Sequence, residues 1–129
     1  MNLSNKLNSI LKEYSEGNKK SAYKKFKKIY LQNNKEIKLR YNLAVMQQEL
    51  GLLDEAETNY IYLIKHKDEP KHNINLYNLY ITKGFYLKAL KIIDSIKSKN
   101  ISLTRVDQDR AHVLYLIKNY KDSINQCYE

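Results

Sequence analysis

The side chains with the most chemical potential in this chain are His66, His72, His112 and the single cysteine, Cys127. His66 and His72 flank a short acidic turn that carries Asp68 and Glu69, so imidazoles and carboxylates fall close together. A helical metal pair needs two ligands at i and i+4, and zinc signatures need fixed Cys/His spacings. This cluster meets neither requirement, and it reads as a solvated turn. His112 has only Asp109 at helical spacing and reads as a surface or groove histidine. Asp54, Glu55 and Glu57 are carboxylates that a helix start would attract, because negative charge is favoured there. No G-x-G-x-x-G, phosphate loop or G-x-S-x-G occurs. The chain is therefore read as a non-enzyme, with no catalytic residue, metal ligand or cofactor expected.

Whatever function exists must then lie in a surface, and composition indicates what builds that surface. Hydrophobic residues make up 43% and charged residues 29%, enough apolar side chain for a core. Three Gly and one Pro leave few backbone breakers, which favours long helices joined by short turns. The net charge of +9 is uneven. Residues 1–40 hold eleven Lys/Arg against three Glu, a balance of +8, and residues 41–129 hold twelve against eleven, a balance of +1. Such a basic N-terminal third can attract nucleic acid, an anionic membrane surface or an acidic protein segment. Lys, Asn, Ile and Tyr also share A/T-rich codons, so A/T-rich coding supplies a second explanation for the lysines. One cysteine excludes an intrachain disulfide and fits a reducing compartment. The N-terminus has no apolar run or small-residue cleavage site of a secretory signal, and no stretch has the length of a membrane span. The expected location is cytoplasmic.

The chain repeats itself. Gly17 and Gly51 lie 34 apart, as do Ala22 and Ala56, Phe26 and Tyr60, and Ile29 and Leu63. Gly51 and Gly84 lie 33 apart, as do Ala56 and Ala89, Tyr60 and Ile93, and Leu63 and Ile96. A last step of 34 carries Ala89 to Ser123 and Ile93 to Cys127. Cys127 thus reads as a small buried hydrophobe. Each unit has the apolar spacing of two helices. Leu43, Ala44 and Leu50 lie on the first helix of the second unit, and Ala56, Tyr60 and Leu63 on its second. Gly51 breaks them, and Asp54 is expected as the next N-cap. Pro70 fits a first helical turn, and Ile74, Tyr77 and Ile81 follow it as one apolar stripe. In the fourth unit Thr104 and Asp107 form a weak capping box. Ala111, Leu114 and Tyr115 then mark one helix, and Ile124, Cys127 and Tyr128 a second. The approximate repeats are 3–35, 37–70, 71–102 and 104–129, in one domain spanning 1–129. The fourth is incomplete, which suggests a truncated fragment or an incomplete array.

The second unit resembles a tetratricopeptide repeat (TPR). Leu43, Ala44, Gly51, Ala56 and Tyr60 match that family's pattern, while Arg40 fills its Trp slot and Gln47 an aromatic slot. Pro70 arrives about two residues late. The third unit matches at Leu76, Tyr80, Gly84 and Ala89, and the first at Ala22, Phe26 and Ile29. The first helix fits better slid by one residue, with Leu7, Ile10 and Tyr14 inward instead of Glu13. In the fourth, Lys118 takes the Gly slot and Ser123 the Ala slot. The resemblance implies an all-α, right-handed α-solenoid of about four helix pairs.

It also implies a protein–protein interaction scaffold whose first helices line a concave, peptide- or helix-binding groove. Projected onto this chain, the groove comprises Asn8 and Lys12, then Lys38, Tyr41, Asn42, Val45 and Gln48. Lys71, Ile74, Asn75 and Asn78 follow, then Gln108, His112 and Tyr115. Some family members clamp a C-terminal carboxylate with Asn and Lys. Asn42 and Lys71 fall on matching positions, whereas Asn8 and Lys12 have the types exchanged and Asn75 replaces a basic residue. The expected partner is a protein or peptide. The alternative is nucleic acid or an anionic surface on the Lys20, Lys24, Lys27 and Lys28 face of the second helix, since related helical repeats read RNA. Two further options are that the chain is the repeat portion of a larger transferase-type protein, and that it self-associates through Ile124, Cys127 and Tyr128.

Overall fold

In the computed structural model all three glycines adopt positive φ: +104° at Gly17, +81° at Gly51 and +77° at Gly84. These values lie in the left-handed region that L side chains avoid, and the same backbone bonds form around each. The N–H after the glycine donates to a carbonyl five residues back, Asn18 to Glu13, Leu52 to Gln47 and Phe85 to Tyr80, at 3.2, 2.8 and 2.8 Å. This Schellman-type closure satisfies carbonyls that a helix end leaves open. In each case the next helix begins two residues after the glycine. The sequence period of 33–34 is therefore the period of one turn built three times.

The structure describes residues 2–98 and 104–128, excepting the side chains of 98, 104–106 and 123–128. Among the described residues there are seven helices and no strands: α1 (Leu3–Ser15), α2 (Lys19–Gln32), α3 (Ile37–Glu49), α4 (Leu53–His66), α5 (Pro70–Lys83), α6 (Tyr86–Ser98) and α7 (Thr104–Tyr128). The fold is an all-helical repeat of the TPR type. Two compact units divide it, Met1–Leu63 and Ile64–Glu129.

In the first unit, Ile10, Ala22, Tyr23, Phe26, Tyr30, Leu39, Leu43 and Met46 form one core, with Leu7, Tyr14, Ile29 and Leu50 packed against it. The one-residue slide expected for α1 holds, since Ile10 is buried and Leu7 and Tyr14 are half-buried on the same side. Glu13 is also half-buried, with Lys25 Nζ donating to it at 2.8 Å. Ala22 and Ala56 have no exposed surface, which lets neighbouring helices approach closely. Asp54 is not the N-cap of α4. It lies one residue inside, where its charge and that of Glu55 still complement the positive helix end.

In the second unit, Leu76, Tyr77, Leu79, Tyr80, Ala89, Ile93, Ile96 and Val113 are buried. Pro70 starts α5 as expected. One expectation fails. The fourth unit's two helices are one continuous helix of 25 residues, because Lys118 replaces the glycine that turns the chain elsewhere. Ala111, Leu114 and Tyr115 are exposed. The buried stripe of α7 is Val113, with Asp109, Arg110, Leu116 and Ile117 half-buried beside it, and the Tyr77 hydroxyl donates to the Asp109 carbonyl at 3.2 Å. No helix among the described residues is long and apolar enough to cross a membrane.

Candidate functional site

Helix α3 commits Leu39, Leu43, Ala44, Met46 and Gln47 to the interior of the first unit. Helical geometry then leaves Lys38 exposed and Tyr41, Asn42, Val45 and Gln48 half-buried around the rest of the helix. On α1, Asn8 and Lys12 are exposed. Of these residues, Asn8, Lys38 and Asn42 are brought around one hollow of about 360 Å³, with Leu3, Leu7, Leu11 and Leu39 supplying apolar wall and Glu36 and Asn33 among the polar lining. Carboxamides beside an apolar wall suit a peptide. Each Asn offers a donor and an acceptor to its backbone, and the leucines offer a seat for one of its side chains. Gln48 is already engaged, since its Oε1 accepts from the Tyr60 hydroxyl at 2.7 Å. Burial, followed by the nearby Tyr41 and Glu49, pushes the Tyr60 hydroxyl pKa well above the ordinary tyrosine value, so it remains a donor at neutral pH. Tyr14 is pushed the same way by burial and by its hydrogen bond to Glu49.

Beneath this face lies a polar network that the sequence did not reveal. Gln47 is 3% exposed and Asn59 9% exposed. Asn59 Nδ2 donates to Gln47 Oε1 at 2.7 Å, and Gln47 Nε2 donates to the Tyr23 hydroxyl at 3.1 Å. Arg40 adds a long contact, Nη1 to Asn59 Oδ1 at 3.5 Å, and its guanidinium lies 3.4 Å from the Tyr62 ring centroid and 5.5 Å from that of Tyr30. The two departures from the family pattern are thus coupled. Arg40 and Gln47 are seven residues apart, two helical turns, so they share a face. That spacing, with the polar Asn59 on a neighbouring amphipathic helix, was the available signal. The network ties α3, which carries Asn42 and Lys38, to α2 and α4.

In the second unit, α5 places Lys71 exposed and Ile74, Asn75 and Asn78 half-buried, while Gln108, His112 and Tyr115 are exposed on α7. Lys71 Nζ lies 3.3 Å from Glu69, and Lys67 also pairs with that carboxylate at 3.1 Å. These two lysines hold the Glu69 carboxyl below its ordinary pKa. His72 is not in a solvated turn. It is 1% exposed, inside the first turn of α5, and burial lowers its pKa against the opposing pull of Glu69. Asp68 accepts from Asn73 Nδ2 at 3.1 Å. Among the described residues no group of three His, Cys, Asp or Glu side chains is placed to hold a metal ion.

Lys20, Lys24, Lys27 and Lys28 are all exposed on α2. Lys28 also lines a hollow of about 420 Å³ between α1 and α2 with Lys6, Lys25, Ser9 and Gln32. Ile124, Cys127 and Tyr128 lie on α7, outside the described side chains.

No protein-family model matches the sequence, and no curated protein matches it. Solved structures do. The type III secretion chaperone SycD of Yersinia enterocolitica, solved with a peptide of the translocator YopD, superposes with a TM-score of 0.67 at 16% identity, covering 94% of this chain and 93% of that one. A second structure of SycD, described as a translocator chaperone, gives 0.66 at 16% identity over 95% and 86%. A thermophilic TPR protein of Thermus thermophilus gives 0.67 at 21% identity over 92% and 68%. At these identities the likeness is one of fold.

Proposed function

We propose that the chain is a non-catalytic scaffold that captures an extended or helical peptide of a partner protein in the cytoplasm, without a cofactor. The α1–α3 face is its binding surface. The observation that carries this reading is the hollow that joins Asn8, Lys38 and Asn42 to a wall of leucines. Tyr41 and Val45 continue the same face of α3, and Lys12 continues that of α1. The expected groove residues of the second unit, Lys71, Ile74, Asn75, Asn78, Gln108, His112 and Tyr115, belong to the same proposal. Support also comes from the likeness to SycD, whose structure holds a peptide. Packed helices hold such side chains in place before binding, so little order is lost on capture.

The test is affinity capture at moderate salt, followed by titration of the recovered partner's binding segment. An Asn8→Ala/Asn42→Ala variant should bind it at least about tenfold more weakly, as expected for two lost peptide contacts. A partner that binds this variant as tightly as the parent chain would refute the reading. A second reading, nucleic acid or an anionic surface on α2, is favoured by the lysine-lined hollow at Lys6, Lys25 and Lys28. Phosphate contacts lose affinity steeply with salt, so a salt-sensitive ligand indifferent to the Asn variant would select it. A longer reading frame beyond residue 129 would add a fused domain to either reading.

A further inference from the structure

The second unit carries a pocket that the repeat itself does not call for. It has a volume of about 540 Å³ and lies between the α5–α6 turn and α7. Phe85, Leu87, Ile117 and Tyr120 give it an apolar lining, and Lys88 and Lys121 stand at its edge. Phe85 is 41% exposed, Leu87 67% and Tyr120 62%. The chain supplies its own comparison for these positions. Leu87 is three residues past Gly84, and the residues three past Gly17 and Gly51 are Lys20 and Asp54. Both are charged and exposed. A helix therefore starts with a charge of either sign in this slot, and nothing in the packing requires leucine there.

The charges around the pocket are all of one sign. No carboxylate lines it, although Asp122 follows Lys121 on α7, turned about 100° around the helix. Lys88 Nζ lies 5.1 Å from the Phe85 ring centroid and 5.6 Å from that of Tyr80, and Lys83 Nζ lies 4.9 Å from Phe85. Rings at this distance attract an ammonium and restrict its motion. Of the two lysines that line the pocket, Lys88 is thus held at the lip, and less side-chain freedom is lost when it meets an anion. Among the described residues neither Lys88 nor Lys121 is ion-paired with a carboxylate.

We propose that this pocket is a second docking site, which takes an acidic peptide segment of a partner protein by seating a Leu or Phe side chain against Phe85, Leu87 and Tyr120 while flanking carboxylates meet Lys88 and Lys121. The site is independent of the α1–α3 face.

The experiment titrates the whole chain with a fluorescein-labelled peptide of about twelve residues, a Leu-Phe pair flanked by Asp and Glu, long enough to fill a groove of this kind. A second peptide replaces the acids with Lys. The acidic peptide should bind, with amide NMR shifts centred on Leu87, Lys88, Ile117 and Tyr120. Leu87→Ala and Lys88→Glu/Lys121→Glu should each weaken it by roughly tenfold, and the charge-reversed variant should gain the basic peptide. All three positions face solvent, and unchanged circular dichroism spectra confirm that the variants fold. Asn8→Ala/Asn42→Ala should leave this titration unchanged, so the two sites stand or fall separately. Equal binding of both peptides, or no loss in the Lys88→Glu/Lys121→Glu variant, overturns the proposal. Concentration-dependent dimerisation abolished by Leu87→Ala also overturns it, because the occupant is then a second copy of this chain.

Discussion

Replacing Gln47 by leucine isolates the buried network from the rest of the fold. Leucine has nearly the volume of glutamine, so packing changes little, but it can neither donate nor accept. Asn59 Nδ2 then loses the acceptor now 2.7 Å away, and the Tyr23 hydroxyl loses its donor at 3.1 Å. Asn59 and Tyr23 are 9% and 8% exposed, so water replaces little of what is lost. A buried polar group left unpaired costs about 1–3 kcal/mol. The Asn59 donor carries most of that cost, since the Tyr23 hydroxyl can turn. A buried leucine returns about 1 kcal/mol of apolar transfer. The expected net loss for Gln47→Leu is about 1 kcal/mol, roughly a fivefold shift in the folding equilibrium. Asn59→Leu should cost somewhat less, because it strands the Gln47 carbonyl and releases only the long Arg40 contact. The double variant should lose about 1–2 kcal/mol less than the two singles together, since neither partner is left stranded. Urea unfolding followed by far-ultraviolet circular dichroism reads all three, with an unchanged m-value confirming that stability alone has moved. Additivity within about 0.5 kcal/mol would refute the coupling. A neutral or stabilising Gln47→Leu would show that the network contributes nothing.

Two further predictions concern the turns and the pH response. Gly84→Ala should cost about 1–2 kcal/mol, all of it conformational. An added Cβ meets nothing within 4 Å at a φ of +77°, so a thermal melt equal to the parent's would show that the turn tolerates an L residue. His72 is favoured as the neutral imidazole, because burial depresses its pKa from the ordinary 6.5. The unfolded chain binds the proton first, so this contribution is complete above the ordinary pKa and is lost as pH falls through the folded value. The urea midpoint should therefore decline as pH falls below the ordinary 6.5, and His72→Asn should flatten that decline. An equal decline in the variant would assign it elsewhere.

The repeat was legible because one backbone solution is used three times. Gly17, Gly51 and Gly84 each supply a positive φ, and no other residue type does so as cheaply. Ala22, Ala56 and Ala89 mark close helix approach just as plainly, each with no exposed surface. The fourth unit was misread because two weak marks were extended by analogy. Lys118 has no reason to stop a helix, and α7 runs through it. The buried side of α7 is not legible in the sequence because apolar residues fall on both sides, at Val113 and Leu116 as well as Leu114 and Tyr115, and only the packing partner selects among them. His72 was placed in solvent because polar residue type outweighed helical position, although Leu76 and Tyr80 lie four and eight residues on and share its buried side. Of the proposed groove residues, Asn8, Lys38 and Asn42 line one hollow. The pocket at Leu87 could have been found by asking why that slot differs from Lys20 and Asp54.

That question extends to the rest of the surface. Three copies of one turn within one chain separate what the fold needs from what it tolerates. The first turn of α4 carries Asp54 and Glu55, which complement the positive end of the helix dipole by about 0.3–1 kcal/mol each. The equivalent turn of α2 carries Lys19 and Lys20 and no acid, which oppose that dipole by a similar amount. Lys19 recovers some of this from Glu49 at 3.7 Å and from the Tyr14 ring at 5.5 Å. Among the described residues, Lys20, Lys24 and Lys27 make no such ion pair or ring contact, and Lys25 is tied to Glu13 instead. A/T-rich coding would raise the number of lysines throughout the chain, but their excess over acids is concentrated ahead of residue 41, where the balance is +8 against +1 beyond. The basic face of α2 is therefore not a product of helix stability. Salt dependence of binding would separate this face from the proposed hollow beside α3, where one lysine and one glutamate offset each other among carboxamides and leucines, because phosphate contacts weaken steeply with ionic strength and amide hydrogen bonds do not.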